Sequence, residues 1–172
     1  MITITQSDHL AVARRYAERV DDWPFAPRFD PAQRWYKRLA SEDDVEVWAL
    51  TWLPGQGTDL HDHGGSAGAF LVRTGELTEH TVAVRGAPSV MPADSAVRIT
   101  SSAGQRELVS GTIAAGGGRR FGPRHVHQLI NNADTPAISV HVYSPRLTTM
   151  TRYRLATGDL VPVAIDRAGA EW

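Results

Sequence analysis

The sequence contains no cysteine among its 172 residues. This absence excludes disulfide bonds, thiolate metal sites, CxxC redox motifs and a cysteine nucleophile. Seven histidines are present. A metal site in this chain would therefore have to use imidazole and oxygen ligands.

Lysine is almost absent as well, since Lys37 is the single lysine beside seventeen arginines. The formal net charge is −1, and the chain has neither a basic run nor an acidic tail, so we expect no nucleic-acid partner. No apolar stretch approaches the ~18 residues of a membrane span, and Asp8 precedes any apolar run. We therefore expect a cytoplasmic protein with no membrane partner. A monomer is expected as well, although the sequence does not determine the oligomeric state.

The length is close to that of one domain, and 15 glycines with 10 prolines favour a turn-rich β fold. Apolar residues at helical spacing predict one amphipathic helix from about Asp8 to Val20, followed by a proline-containing irregular connection. Residues 1–32 are thus predicted to be a helix and connection that belong to the same domain as a β-barrel over 33–172.

From Trp35 onward the apolar pattern changes to period two, which indicates strands. The predicted strands cover residues 35–40, 45–53, 58–63, 68–73, 76–84, 96–100, 107–114, 125–130, 137–143 and 150–153. The glycine triplet at 116–118 is predicted to be a loop. Short strands at regular spacing within one domain favour a sandwich or a small barrel.

His61 and His63 are two residues apart, so on a strand their imidazoles would face the same side and could bind one metal ion. An isolated His-x-His pair is more often two exposed loop histidines. Here Gly55 precedes the pair and Gly75 follows it, and this frame resembles the first cupin motif, G-x5-H-x-H-x4-E-x6-G. Gly68 stands where that motif has glutamate.

A third histidine is offered by His127-x3-Asn131, which resembles the end of the second cupin motif. His125 is two residues away and would share the same face of a regular strand, so it remains an alternative ligand. With Gly68 in place of glutamate, the metal would be held by three neutral histidines. Such a site favours substrates that bring a negative donor of their own, such as a thiolate.

Four segments together resemble the bacterial cysteine dioxygenases, the three-histidine thiol dioxygenase branch of the cupin superfamily. The segments are YKRL at 36–39, GTDLHDHGGSAG at 57–68, HQLIN at 127–131 and SVHVYSP at 139–145. The resemblance extends over about residues 34–153. It implies a mainly β, single-domain cupin, a small β-barrel or jelly roll, with a short N-terminal helix.

The resemblance also implies a metal and a reaction. Fe(II) would be held by His61, His63 and His127, and both atoms of O2 would be added to the sulfur of L-cysteine to give cysteine sulfinic acid. One alternative is a dioxygenase of another small thiol carboxylate, such as 3-mercaptopropionate. Others are a non-catalytic cupin sensor that binds a metal or ligand, and a metal-free barrel.

Substrate binding is assigned by the same resemblance. Arg38 matches the family's carboxylate-binding arginine, and a guanidinium binds a carboxylate in bidentate fashion. Some related 3-mercaptopropionate dioxygenases have glutamine at this position, so Arg38 favours cysteine as the substrate. Tyr36 is predicted to line the same pocket, and Arg146 is a lower-ranked candidate for carboxylate binding.

Ser139, His141 and Tyr143 alternate along one predicted strand, so their side chains should face the same way. The resemblance implies that Ser139 hydrogen-bonds His141, which orients the Tyr143 phenol beside iron. Animal enzymes join this tyrosine to a cysteine whose place is taken here by Gly68. Tyr143 is therefore expected to carry no thioether cross-link.

The remaining histidines and two tryptophans are predicted to have no direct part in the chemistry. His9 and His80 are interpreted as structural or surface residues. Trp48 and Trp52 lie four residues apart and would share one strand face, where they form core or pocket wall.

Overall fold

The computed structural model describes residues 9–84 and 106–167, and these residues are mainly β structure. Helix α1 covers His9–Glu18 and is followed by a 3-10 turn at Val20–Asp22. The strands are β1 (Tyr36–Glu42), β2 (Val45–Trp52), β3 (Leu60–His61), β4 (Ala67–Thr74), β5 (Glu76–Val84), β6 (Arg106–Ala114), β7 (Gly118–Phe121), β8 (His127–Ile130), β9 (Ala137–Ser144), β10 (Thr149–Ala156) and β11 (Asp159–Arg167).

The strands form two antiparallel sheets in one domain. The first sheet has the order β1-β2-β9-β4-β7, and the second has the order β11-β10-β3-β8-β5-β6. An apolar core lies between them, with Trp52, Phe70 and Val72 from the first sheet and Leu77 and Leu129 from the second. The predicted mainly β single domain is confirmed.

Helix α1 packs on the outer face of the first sheet through Ala13 and Ala17, which are four residues apart and buried. Val140 and Val142 of β9 face this helix, so the alternate residues of β9 face the space between the sheets. β9 is consequently buried on both faces, and its polar side chains point inward rather than to solvent. Within the described ranges, no helix is long and apolar enough to cross a bilayer.

The structure differs from the prediction at several strands. The predicted loop at 116–118 is partly wrong, because Gly118 begins β7 and pairs with Leu71 of β4. β11 was not predicted; it contains Pro162, which cannot donate to a ladder and is tolerated because β11 is an edge strand. The predicted strand at 58–63 contracts to β3, and the one at 96–100 lies outside the described residues.

Gly68 of β4 lies where the neighbouring strands leave no room for a side chain. A Cβ atom at this position would be 2.0 Å from the Val142 carbonyl oxygen and 2.8 Å from Cζ of Phe121. The obstruction by Val142 is backbone, which cannot rotate away. The glutamate of the general cupin motif therefore has no room here unless β4 moves relative to β9.

We expect Gly68→Ala to lower the free energy of unfolding by about 2 kcal/mol or more, because the added methyl group forces two paired strands apart. Chemical denaturation measures this change. Gly122→Ala is the matched control, since a Cβ at Gly122 meets nothing within 4 Å. Equal stability of the two variants would contradict the close packing at Gly68.

Candidate metal centre and adjoining cavity

Three buried histidines converge between the two sheets. His61 and His127 are directly opposite each other in the β3–β8 pair, and His63 follows β3 by two residues. One ring nitrogen from each lies within 4.8 Å of the other two. These are the three residues that the sequence predicted as metal ligands, and the structure brings them together.

His63 reaches this group by a turn rather than along a regular strand. β3 ends at His61, and Gly64 adopts a φ of +58° directly after His63. The Asp62 carboxylate holds the turn, because it accepts hydrogen bonds from the Gly64 amide at 3.0 Å and the Tyr153 hydroxyl at 2.7 Å. Asp62 thus points away from the histidines, as the sequence predicted, but a turn rather than strand alternation places it there.

The ring nitrogens of the three histidines have different partners. Nδ1 of His61 lies 2.8 Å from the Asp59 carbonyl oxygen, and Nδ1 of His127 lies 2.7 Å from Oε1 of Glu79. Both ring nitrogens of His63 are buried, and neither has a hydrogen-bond partner among the described residues. Because an unpartnered buried nitrogen costs free energy, one free nitrogen from each ring fits a shared metal ion.

The environment favours the neutral form of all three rings. Burial, together with the neighbouring His127, lowers the pKa of His61 to about 3. Burial also lowers the pKa of His63 well below its ordinary value, and it lowers the pKa of His127 despite the opposing effect of Glu79. Neutral imidazole is the form that binds metal ions.

Glu79 is a buried carboxylate at this site that the sequence analysis did not identify. Burial raises the pKa of Glu79, but hydrogen bonds from His125 and His127 outweigh this effect and lower it to about 2. The alternation of buried residues along β5 from Leu77 could have pointed to it. The structure places His125 beside Glu79, at 3.3 Å, and outside the three-histidine group.

A cavity of about 60 Å³ adjoins His61 and His127. This volume exceeds the ~10–15 Å³ that one water molecule needs, so the cavity has room for a small molecule. Its wall combines polar groups with apolar and aromatic side chains. The lining residues are Arg34, Tyr36, Trp48, Leu50, Trp52, Thr58, His61, His127, Leu129, His141, Tyr143, Leu147 and Met150.

A row of hydrogen bonds runs along β9 towards this cavity. Nε1 of Trp52 donates to Oγ of Ser139 at 2.9 Å. Oγ of Ser139 lies 2.8 Å from Nε2 of His141, and Nδ1 of His141 lies 3.3 Å from the Tyr143 hydroxyl. The residues predicted to form a relay are thus in contact, and Trp52 extends the row by one member.

The indole of Trp52 sets the direction of this row. An indole can only donate, so Ser139 accepts from it. Burial holds the pKa of His141 well below its ordinary value, so the ring is neutral and one of its nitrogens carries the hydrogen. The row is complete when Ser139 donates its own hydrogen to Nε2 of His141, which leaves the ring hydrogen on Nδ1, directed at Tyr143. Burial also raises the pKa of the Tyr143 phenol, which therefore keeps its hydrogen and can donate it into the cavity.

Arg34, which the sequence analysis did not select, supplies a positive charge to the cavity wall. Its Nη1 donates to the Gly57 carbonyl at 3.0 Å, and its guanidinium lies 4.8 Å from the Trp52 ring centroid. Its Nε is buried and has no hydrogen-bond partner within residues 9–84 and 106–167. Burial lowers the pKa of Arg34, and no carboxylate in the described part of the chain forms an ion pair with it.

Arg38, the predicted carboxylate-binding residue, lies elsewhere. Its side chain is 53% exposed, its Nη1 is 3.1 Å from Oε1 of Glu46, and it lies against the Trp48 ring. Arg146 is exposed and donates to the Asp43 carbonyl. Of the three basic candidates for carboxylate binding, the structure brings only Arg34 to the cavity wall, beside the predicted Tyr36.

The antiparallel pairing of β1 with β2 explains why the arginine in the cavity wall, Arg34, lies just before the start of β1. The start of β1 lies beside the end of β2, where the Trp35 carbonyl accepts from the Thr51 amide. The chain then continues from β2 through Gly57 to His61. A residue just before β1 is therefore closer to the three histidines than Arg38, and the predicted hairpin of β1 and β2 was the signal in the sequence that pointed to Arg34.

Two phenylalanine rings of the first sheet stack on histidines of the site. Phe121 stacks on His63 with ring centroids 4.6 Å apart, and Phe70 stacks on His141 at 5.4 Å. Trp48 and Trp52 both line the cavity. His80 contacts Ser110 and lies outside this group.

Several solved structures share this fold at low sequence identity. The TT1209 protein of Thermus thermophilus has a TM-score of 0.51 at 18% identity and covers 70% of this chain and 90% of its own. A Klebsiella pneumoniae protein with a double-stranded β-helix domain has a TM-score of 0.52 at 18% identity, over 84% and 94% of the two chains.

A sugar phosphate isomerase of the cupin superfamily from Silicibacter pomeroyi has a TM-score of 0.51 at 19% identity, over 80% of this chain and 78% of its own. At these identities the likeness establishes the fold, which is that of the cupins. No curated protein matches the sequence.

The sequence matches the family described as cysteine dioxygenase type I over residues 4–155. The matched range includes the three clustered histidines, the row of hydrogen bonds on β9 and the cavity wall. By this match over most of its length, the chain is a member of the cysteine dioxygenase type I family, with a three-histidine group suited to a metal ion.

Proposed function

We propose that this protein is a non-haem Fe(II) thiol dioxygenase that converts L-cysteine to cysteine sulfinic acid. The observation that carries the proposal is one small cavity with two ligand histidines, a hydrogen-donating phenol and an arginine without a carboxylate partner in its wall, among the residues that the structure describes. The reaction balances as R–SH + O2 giving R–SO2H, so the thiol sulfur is oxidised and O2 is consumed as the oxidant.

His61, His63 and His127 would hold the iron through their free ring nitrogens. Iron bound there would supply the redox chemistry that joins O2 to the thiol sulfur. Three neutral ligands from the protein leave coordination positions for the substrate's own thiolate. The protein then has to orient the thiol, bind its carboxylate and exclude water.

Arg34 is the residue that we assign to the substrate carboxylate, in place of Arg38. Its buried Nε has no hydrogen-bond partner in the described part of the chain, and a charged bidentate contact is strong in a partly dehydrated pocket. Tyr36 lies beside it on the cavity wall. Tyr143 donates its phenolic hydrogen to the bound substrate or to oxygen, and Ser139 and His141 orient that phenol.

A second candidate substrate is 3-mercaptopropionate, which carries the thiol and the carboxylate but no amine. No aspartate or glutamate is present among the described residues that line the cavity, so no protein carboxylate receives an ammonium group there. Arg38 favoured cysteine only if it contacted the substrate, and it pairs with Glu46 instead.

The test is anaerobic loading of the protein with Fe(II), followed by addition of O2 and one of three thiols. The thiols are L-cysteine, 3-mercaptopropionate and cysteamine, which lacks a carboxylate. O2 uptake and sulfinate formation are both measured. We expect one O2 consumed per sulfinate formed, with L-cysteine the best substrate and cysteamine at least about 10-fold poorer in kcat/KM, since it cannot bind Arg34.

Other outcomes separate the alternatives. A much higher kcat/KM for 3-mercaptopropionate would replace cysteine as the substrate. Tight thiol binding without O2 loss would identify a non-catalytic sensor. Failure of the protein to retain any metal would overturn the metal site itself.

Arg34→Gln should raise KM for L-cysteine about 10–100-fold, because a charge-assisted contact to the carboxylate is lost. The same variant should change KM for cysteamine little. Steady-state O2 uptake with both thiols measures this difference.

Arg38→Gln is the matched control, and it should leave KM for L-cysteine within about 3-fold of wild type while it unpairs the buried Glu46 and lowers stability. A large rise in KM for Arg38→Gln, with none for Arg34→Gln, would restore the assignment made from the sequence.

Ser139→Ala should lower kcat about 10-fold or more, since the Tyr143 phenol loses its fixed hydrogen-bond direction. KM should change little, because Ser139 does not line the cavity. Ser110→Ala is the control: Ser110 also contacts a histidine, His80, at 2.5 Å, but outside the site. Equal kcat values for the two variants would rule out the proposed role of Ser139.

A further inference from the structure

The Glu79 carboxylate touches the metal centre but has no part in the reaction proposed above. Glu79 lies on β5 within the second sheet and is 2% exposed. Thr81 pairs directly with His127 across β5 and β8, and Glu79 lies two residues before Thr81 on the same face. Its side chain therefore reaches His127 diagonally across the two strands.

The three metal-binding histidines differ in what holds their outer nitrogen. His61 is bonded to a neutral backbone carbonyl, and His63 has no partner among the described residues. His127 donates to a carboxylate at 2.7 Å. A carboxylate that accepts from the outer nitrogen fixes the tautomer and orientation of the ring and strengthens its inner nitrogen as a ligand.

Charge balance gives the carboxylate a second use. A divalent ion among three neutral imidazoles would place two positive charges in a buried site, which is costly without a nearby anion. Gly68 leaves no space for an acidic side chain at its position. Glu79 brings a negative charge close to the ion while it leaves the coordination positions open for substrate.

We propose that Glu79 is a positioning residue that acts through His127. It holds the His127 ring with Nε2 towards the metal and offsets part of the ion's charge from outside the coordination shell. This inference rests on the three-histidine metal site of the proposed function. His125 then serves as a second hydrogen-bond donor to the same carboxylate oxygen and is not a ligand.

A different arrangement is a second metal ion held by Glu79, His125 and His127, whose ligand atoms also lie within 4.8 Å of one another. In that case His127 would have to bridge two ions. The cationic Nε of Arg119 lies 4.0 Å from Oε2 of Glu79, and this neighbour disfavours another cation. The number of ions bound per chain distinguishes the two arrangements.

The experiment measures Co(II) binding to the metal-free protein by competition with a chromophoric chelator. Wild type is compared with Glu79→Gln, Glu79→Ala and His125→Gln. We expect one Co(II) per chain in all four proteins, with the dissociation constant raised about 10-fold in Glu79→Gln and about 100-fold in Glu79→Ala. The rise in Tm on Co(II) addition should shrink in the same order.

Glu107→Gln is the matched control, since Glu107 is a buried glutamate of β6 that belongs to neither ligand cluster of the described residues. The dissociation constant of Glu107→Gln for Co(II) should equal that of wild type. If Glu79→Ala does not fold, Glu79→Gln keeps the side-chain shape and decides the question alone.

Unchanged Co(II) affinity in folded Glu79→Gln and Glu79→Ala would overturn the role of Glu79 while leaving the metal site intact. A fall from two Co(II) ions in wild type to one in His125→Gln would overturn it in favour of a second metal site. Wild-type protein that binds no Co(II) would overturn the metal site and the proposed function together.

Discussion

The interior of this protein is organised by the need to satisfy buried imidazole nitrogens. A histidine between two sheets exposes two polar atoms to an apolar core, and each unpartnered atom costs free energy. The Asp59 carbonyl and Glu79 satisfy one nitrogen each on two of the rings. One remaining nitrogen of each ring lies within 4.8 Å of the other two. A metal ion coordinated by these three nitrogens would stabilise buried polar atoms that have no hydrogen bond.

Much of the site was predictable because strand alternation sorts side chains reliably. The period-two pattern around residue 141 predicted that the serine, histidine and tyrosine of β9 share a face, and they do. The motif spacing led to His127 rather than His125, and the three-histidine group contains His127. These positions could be predicted because alternation and motif spacing act over only a few residues. The metal and the reaction were predicted from the resemblance to a family.

The rest depends on contacts between residues far apart in the chain. Glu79 reaches His127 from another strand, 48 positions earlier, and no local pattern pairs the two. Arg34 and Arg38 are both basic residues in one short segment, and only the pairing of β1 with β2 determines which of them faces the cavity. β7 was missed because a glycine that allows close strand approach is also typical of a loop.

The two halves of the site belong to different sheets. His61 and His127 lie on the second sheet, whereas the Tyr143 phenol and the hydrogen bonds behind it lie on the first. The separation between metal and phenol is therefore set by how the sheets pack, through apolar residues such as Leu50, Leu77 and Leu129. A change of side-chain volume in that layer would alter the reach of the phenol towards the substrate without altering any group that performs chemistry.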